Sequence, residues 1–337
     1  MNLEGKNVMV AGGAGFIGSH ISERLVKEGA RVVVFDSFVT GKESNLAWVK
    51  DKIRIIRGDI LDYESLLKAM NKMDFVIHQA FPYGDLTQSV DTQFVDSGTV
   101  GTFNVLRAAT KSGVKKVVYA SSVAVYGQHK YLPIDEEHPK DPFYPYDVTK
   151  ISSEMLCQVF TKSYGLDTVS LRYFNVYGPR YAVYDHSALV YFLERSIKGL
   201  PPIIYGTGKQ IRDYTYIDDV VDGTMLALKK HCPGEIFNIG FGTGTRIIDL
   251  AKKIIAVSGK NIKPEMASTG DYRYIPGTMP YGITKKVGRR YIDTRNFVAD
   301  ITKAKKILRY SPKVSIDAGI KKTYGWLFSE MKKNRNL

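Results

Sequence analysis

Residues 8–18 read VMVAGGAGFIG, a short apolar run of strand character that opens into three spaced glycines, Gly12, Gly15 and Gly18. This G-x-x-G-x-x-G spacing is one residue longer in its first gap than the usual dinucleotide fingerprint, but the physics is unchanged. Glycine lets the backbone turn tightly and approach a pyrophosphate, which rests on the free amides at a helix N-terminus. A glycine triplet alone also serves tight turns for steric reasons. Here it has its context: a strand before it, an amphipathic helix over 16–28 after it, and Asp36 closing the second strand. A carboxylate there accepts hydrogen bonds from the adenosine ribose and repels a 2′-phosphate, so NAD is expected in preference to NADP. Phe16 and Ile17 open the helix under the pyrophosphate. Asp59, after the third strand, is expected on the adenine amino group with Ile60 beside it; the alternative is a turn or cap residue. Gln79 and Ala80, at the end of the fourth strand, complete the expected cofactor contacts.

Outward from that turn, β-branched runs alternate with longer stretches of helical periodicity. Strands are expected at 8–11, 31–35, 53–57, 75–79, 116–121 and 168–174, and helices at 16–28, 63–70, 96–112 and 146–164. Gly29 and Gly113 stand just past two of those helices, where a left-handed cap is expected. Strands alternating with helices imply a parallel sheet covered on both faces. The expected fold is α/β, a Rossmann-type doubly wound parallel sheet with a smaller C-terminal lobe. Residues 1–175 would form the dinucleotide domain carrying the catalytic groups. Residues 176–337 would be mostly a substrate lobe, with some segments returning to the first domain.

Composition narrows the class. The chain has 337 residues, 44% of them hydrophobic and 24% charged, enough for well-buried cores. It has no run of about 18 apolar residues, so no transmembrane helix is expected. The N-terminus lacks the pattern of a signal peptide. The two cysteines, Cys157 and Cys232, are far apart; they suit a reducing cytoplasm and do not make a metal site alone. A net charge of +14 raises the question of a nucleic-acid partner. Much of the excess lies in short late runs, KKVGRR (285–290), ITKAKK (301–306) and MKKNR (331–335), broken by apolar residues. That pattern fits a solvated surface with a few arginines on phosphates better than a nucleic-acid stripe.

A Tyr-x-x-x-Lys pair puts both side chains on one helical face, where the ammonium can lower the phenol's pKa. Moving a tyrosine from about 10 toward 7 takes roughly 4 kcal/mol. The motif occurs four times, as Tyr126/Lys130, Tyr146/Lys150, Tyr205/Lys209 and Tyr281/Lys285. Position selects among them. Only Tyr146/Lys150 opens a long helix after the fifth strand, on the carboxyl edge where ligands bind an open parallel sheet. Ser122 ends that fifth strand and can set a hydroxyl beside the phenol, with Ser121 as its rival.

GGAGFIGSH (12–20), Asp36, GDI (58–60), YASSVAVYG (119–127), PYDVTK (145–150), LRYFNVYGPR (171–180) and RDYTYIDDVV (212–221) carry a resemblance. The chain resembles the extended short-chain dehydrogenase/reductase family, and within it the nucleotide-sugar epimerases and dehydratases of the UDP-glucose/UDP-galactose 4-epimerase type. The resemblance implies NAD as cofactor and a UDP-sugar as substrate. It makes Tyr146 the base for the sugar hydroxyl, Lys150 the holder of the nicotinamide ribose, and Ser122 the partner of the reacting oxygen. Asn175 falls beside the sugar diphosphate, with Arg212 and Arg290 as the diphosphate arginines. Arg289 and Arg295 are close alternatives to Arg290. Tyr205 is placed against the base, or is an ordinary packed aromatic. A homodimer is implied too, through helices 96–112 and 146–164, with Phe103, Leu106, Met155, Val159 and Phe160 at helical spacing.

Dehydrating members of the family carry an Asp–Glu pair directly after the active-site hydroxyl residue. Here those positions are Val123 and Ala124, so the resemblance implies epimerisation, by oxidation to a 4-keto sugar and re-reduction on the other face. Three features depart from the pattern. HQAF stands where HLAA is common, so Phe81 lies near the cofactor; Gly98 stands where an asparagine is usual; and the loop at 81–92 matches poorly. A decarboxylating, dehydrating or 4-keto-reducing enzyme is the alternative reaction, and a non-enzymatic RNA-binding relative the alternative class.

Overall fold

The structure is a computed structural model that describes residues 1–82, 93–142, 144–181, 187–267 and 295–333. Strand β1 (Asn7–Ala11) runs through the glycine turn into α1 (Phe16–Lys27). The alternation continues through β2 (Arg31–Asp36), β3 (Ile53–Arg57), α2 (Tyr63–Ala69), β4 (Phe75–His78), α3 (Gln93–Val95) and α4 (Gly101–Lys111). Then come β5 (Lys116–Ser122), α5 (Pro145–Tyr164), β6 (Asp167–Tyr173), β7 (Val176–Tyr177), α6 (Ala188–Ile197) and β8 (Ile203–Tyr205). The remainder is β9 (Ile211–Arg212), β10 (Thr215–Tyr216), α7 (Ile217–Lys229), β11 (Ile236–Ile239), β12 (Thr245–Arg246), α8 (Ile247–Ser258), β13 (Glu265–Ala267), α9 (Thr302–Leu308) and α10 (Ile316–Lys333).

Seven strands form one parallel sheet in the order β11-β6-β5-β4-β1-β2-β3. This is the Rossmann-type order with one strand added, and it reverses between β1 and β4, where a doubly wound sheet opens a ligand crevice. Along β1 and β2, Val8, Val10, Val32 and Val34 pack into one core, while Met9, Ala11, Val33 and Phe35 pack into the other. Strands with both alternating sets apolar are what a sheet covered on both faces requires. The first core continues into Val220 and Leu228 of α7 and Leu250 and Ile254 of α8. Residues beyond 175 therefore share the core of the sheet. Arg24–Asp222 and Lys229–Glu28 ion pairs, both at 2.6 Å, tie α7 to α1.

The expected strands and most helices are found within one residue of their expected ends. Gly29 and Gly113 are left-handed, at φ +78° and +67°. The departure is the stretch expected as one helix over 96–112. Residues 96–100 form a π-type turn that widens the helix before α4 begins. The Gly98 carbonyl, released from a regular ladder, accepts from Thr102 Oγ1 at 2.6 Å and from Ser153 Oγ of α5 at 2.8 Å. Helix α5 thus sits close to α4 at this point, and such bulges recur at functional sites.

Of the apolar positions expected on a dimer face, Leu106 and Phe160 are buried within the chain. Phe103, Met155 and Val159 remain exposed, together with Val100 and Val148 on the same two helices or their approach. No helix among the described residues is long and apolar enough to cross a membrane.

Candidate active site

The glycine turn packs three backbone segments against one another. Gly12 lies at φ +78°, its amide donates to the Phe35 carbonyl at 2.8 Å, and a Cβ there would stand 2.5 Å from the Ala80 nitrogen. At Gly18 a Cβ would come within 2.1 Å of the Gly12 carbonyl oxygen. Gly15 is different. Its nearest neighbour would be the Gly12 oxygen at 3.3 Å, and it lines a cleft of about 300 Å³. A side chain at Gly15 would mainly take space from whatever fills that cleft. Helix α1 has no side-chain cap at Gly15 and no acid in its first turn. Phe16 and Ile17 turn their side chains into the packing, Phe16 against Tyr181 at 4.9 Å, which leaves backbone amides as their offer to an anion.

Gly12, Asp36, Asp59, Ile60, Gln79 and Ala80 line the same cleft. Asp36 is buried; Oδ2 accepts from the Ala14 amide and Oδ1 from the Phe38 amide, each at 2.8 Å. Burial pushes its carboxyl above the usual range, against the pull of those two amides and Arg57. A carboxylate offers about four acceptor positions, so room is left for ribose hydroxyls. Asp59 Oδ1 accepts from the Leu61 amide at 2.9 Å, so the residue both shapes its turn and faces the cleft. Asn104 of α4 fixes the Ile60 carbonyl at 3.1 Å. The Gln79 amide side chain is committed to the Tyr173 hydroxyl at 3.1 Å. An uncapped helix N-terminus, a glycine that keeps the cleft open and a buried carboxylate across from them fit a dinucleotide.

Helix α5 starts with Pro145 in its first turn, and Asp147 Oδ2 accepts from the Tyr144 amide at 3.0 Å. This stop fixes Tyr146 and Lys150 one turn apart on one face. The Lys150 ammonium lies 5.7 Å from the Tyr146 ring centre and donates to the Ala120 carbonyl at 2.8 Å. Burial draws it down to about 7, against the opposing influence of Glu154 and Cys157. Ser122, at the end of β5, accepts from the Ala124 amide at 3.2 Å and is only half-buried. Ser121 is buried, and its hydroxyl donates to Glu154 Oε1 at 2.6 Å.

Glu154 was not anticipated. It takes a bidentate contact from Arg172, Nε to Oε1 and Nη2 to Oε2, both at 2.8 Å and fully buried. Arg172 Nη1 also donates to the Tyr126 hydroxyl at 2.8 Å, which in turn donates to Asn238 Oδ1 at 2.6 Å. The clue in the sequence is that Glu154 lies four residues after Lys150, on the same helical face. This network occupies Tyr126, whose phenol burial pushes upward. Tyr205 sits half-buried in β8 and Lys209 on an exposed turn, while Tyr281 and Lys285 lie outside the described residues. Tyr146/Lys150 is the described pair at the edge of the cleft, where Phe81, itself part of the lining, contacts Tyr146.

The later motif residues gather around Asp213, also unanticipated. Its buried carboxylate accepts from the amides of Phe241 (2.8 Å), Gly242 (2.9 Å) and Ala299 (3.1 Å), and burial raises it to about 6. Its carbonyl accepts from Asn175 Nδ2 at 3.2 Å. Asp213 thus ties Arg212, its neighbour in sequence, to Asn175 through its backbone carbonyl and to the segments of Phe241, Gly242 and Ala299 through its carboxylate. Arg212 Nη1 donates to the Arg295 carbonyl, and both guanidiniums lie over the Phe297 ring, at 5.2 and 5.1 Å. Arg295 also lies 5.7 Å from the Tyr144 ring, two residues before Tyr146. Of the three arginines left open by the sequence, Arg295 is the one seen to meet Arg212; Arg289 and Arg290 lie outside the described residues.

Comparison with known proteins places the chain among relatives of known kind. The chain is 32% identical over 328 residues to a putative UDP-glucose 4-epimerase of Methanocaldococcus jannaschii, covering 95% of this chain and 98% of that protein. A UDP-N-acetyl-alpha-D-glucosaminuronate decarboxylase of Bacillus cytotoxicus is also 32% identical, over 95% of this chain and 97% of its own. Among solved structures, a UDP-glucose 4-epimerase of Thermotoga maritima, crystallised with UDP-glucose, matches at a TM-score of 0.85 and 32% identity, over 96% of this chain and 99% of that one. With residues 8–240 also matching the family as a whole, the chain belongs to the NAD dependent epimerase/dehydratase family.

Proposed function

We propose that the chain is a 4-epimerase of UDP-sugars, of the UDP-glucose/UDP-galactose type, with Ser122, Tyr146 and Lys150 as its catalytic set. The observation that carries this reading is the pairing of Tyr146 with a buried Lys150 at the edge of the dinucleotide cleft, beside a Ser122 followed by Val123 and Ala124. Bound NAD supplies reversible hydride acceptance at the sugar carbon. Tyr146 takes the proton from the 4-hydroxyl and later returns it. Lys150 stabilises the phenolate and holds the cofactor ribose, and Ser122 donates to the reacting oxygen. Without an acid directly after Ser122 no group stands ready there to expel a hydroxyl, so the 4-keto sugar is re-reduced on its other face. Asn175 and Arg212, with Arg290 or Arg295, hold the diphosphate, a task suited to the guanidinium fork. Tyr205 is assigned to the uracil.

The exposed Phe103, Met155 and Val159 support a homodimer through α4 and α5. The buried free thiols of Cys157 and Cys232 suit a cytoplasmic setting. The kinship with a decarboxylase keeps one second reading in play, loss of CO₂ from a UDP-uronic acid. A panel of UDP-, GDP-, CDP- and dTDP-sugars, UDP-uronic acids among them, tests both. It is scored for epimerised product and for CO₂ without added NAD. The expected result is epimerised UDP-sugar alone; CO₂ release would favour the second reading, and turnover of neither kind would defeat both.

A further inference from the structure

Phe81 and Gly98 both depart from the family's usual residues, and the structure joins them in one place. The Phe81 ring meets the Tyr146 ring edge-on, with centroids 5.1 Å apart at 74°, and is backed by the buried Phe94 at 5.7 Å. A Cβ at Gly98 would stand 3.1 Å from Phe81 Cε2 and 2.7 Å from Thr149 Cβ, so a side chain at 98 and a ring at 81 compete for the same space. The Lys150 ammonium lies 4.8 Å from the Phe81 ring centre, 5.1 Å from that of Tyr119 and 5.7 Å from that of Tyr146. All three distances fall within the range of a cation–π contact. The alanine common at position 81 would leave one wall of this enclosure open.

We propose that Phe81 is a positioning residue for the Tyr146–Lys150 pair, closing an aromatic cage around the ammonium and fixing the tilt of the phenol, and that Gly98 is glycine to admit both this ring and Thr149 of the same helix as the pair. This rests on the catalytic reading of Tyr146 and Lys150 given above. Edge-to-face packing gives the phenol a defined orientation. The cage keeps water from the ammonium while offering ring faces in its place, so the lysine, when protonated, is a desolvated cation beside the phenol. The other titratable groups around it are Glu154 and Cys157 on its own helix, Tyr119 on β5 and His78 on β4. Burial pushes Tyr119 up and His78 down to about 3, so both face Lys150 uncharged at neutral pH.

The test is the purified full-length holoenzyme with Phe81→Tyr, Phe81→Leu, Phe81→Ala and, as control, Tyr146→Phe, each assayed for kcat, KM, NAD affinity and the pH profile of kcat. Phe81→Tyr keeps the ring and should stay near wild type. Phe81→Leu fills the space without a π face; kcat should fall about tenfold with KM held. It still excludes water but loses ring stabilisation of the cation, so the alkaline limb should move to lower pH. Phe81→Ala admits water, and the limb should move to higher pH. Leucine matching wild type, or losses that follow melting temperature with a fixed limb, would overturn the inference. If Tyr146→Phe abolishes turnover while Phe81→Leu is normal, only the role of Phe81 falls. If Tyr146→Phe turns over normally, the catalytic reading falls and this inference with it.

Discussion

The Ser121 hydroxyl donates to Glu154 at 2.6 Å in a site closed to solvent, whereas Ser122, one residue on, is only half-buried at the carboxyl end of the sheet. Successive residues of a strand point to opposite faces, so one serine is drawn into the core and the other left to the cleft. The two should separate on mutation. Ser122→Ala should lower kcat by roughly 10²-fold or more, with a loss of stability limited to the one amide it caps, at Ala124. Ser121→Ala should cost about 1–3 kcal/mol of stability, because a buried carboxylate loses a donor, and leave kcat nearly intact. Thermal melts and steady-state kinetics on both variants check it; the reverse pattern would transfer the catalytic role to Ser121.

Tyr146→Phe and Tyr126→Phe offer a second comparison. Removing the Tyr146 hydroxyl should cut turnover by roughly 10²–10⁴ while NAD and sugar still bind, as for a positioned acid–base group. Tyr126 lies between Arg172 and Asn238, so its loss should appear as lower stability. Turnover and calorimetry on the pair decide between the motifs.

Asp36 should govern cofactor choice. Wild type should bind NAD far better than NADP. Asp36→Asn should narrow that gap by removing the charge that repels a 2′-phosphate. It should also lower the melting temperature, since an amide oxygen cannot replace both acceptors now serving Ala14 and Phe38. Titration of the cofactor-free protein with both dinucleotides reads the first effect.

Lys150 makes stability depend on pH in a direction fixed by its environment. Burial lowers its folded pKa to about 7, below the unfolded value. Folding therefore sheds a proton between about pH 7 and 10.5. Below about 7 the buried charge costs the most, and above about 10.5 that cost is gone. Relative to Lys150→Met, the wild type should gain about 1.4 kcal/mol per pH unit across that window. Denaturant unfolding of both proteins from pH 6.5 to 10 gives the difference, and a flat difference would mean that Lys150 is hydrated.

Arg212→Ala should raise the KM for the nucleotide sugar by about 10- to 150-fold, the worth of a hydrogen bond to a charged group. NAD affinity should hardly move, since Arg212 is not part of the glycine cleft. Arg212→Lys should fall between, keeping charge but losing the fork. Isothermal titration with UDP-sugar and with RNA across a salt series also tests the net charge of +14. Tight RNA binding that weakens steeply with salt, with no sugar binding, would reverse the assignment.

What the sequence made legible was local. Uninterrupted β-branched runs such as VVV at 32–34 mark strands buried on both faces, and the glycine turn fixes the point where the sheet changes direction. Tyr146 and Lys150 were separable from their three look-alikes by element order alone. Contacts made across the fold were not legible. Glu154 and Arg172 lie 18 residues apart on a helix and a strand, and only their packing shows that they share a buried pair. The widened turn at 96–100 depends on α5 approaching Gly98, which no helical periodicity encodes. Phe81 and Gly98 read as two unrelated departures because the space they share is tertiary.

Strand β11 leaves the protein with no place to be cut in two. It pairs with β6 through Ile236–Ser170 to Ile239–Tyr173, though some sixty residues of other structure separate the two strands in the chain. A fragment ending near residue 175 would bare the whole edge of β6, an open template for pairing with neighbouring molecules. It would also strip Asn238 from Tyr126 and α7 from α1. The C-terminal part, to which sugar binding is proposed, is therefore woven through the sheet that carries the glycine turn. New specificity in such a scaffold has to come from replacing side chains and loops in place.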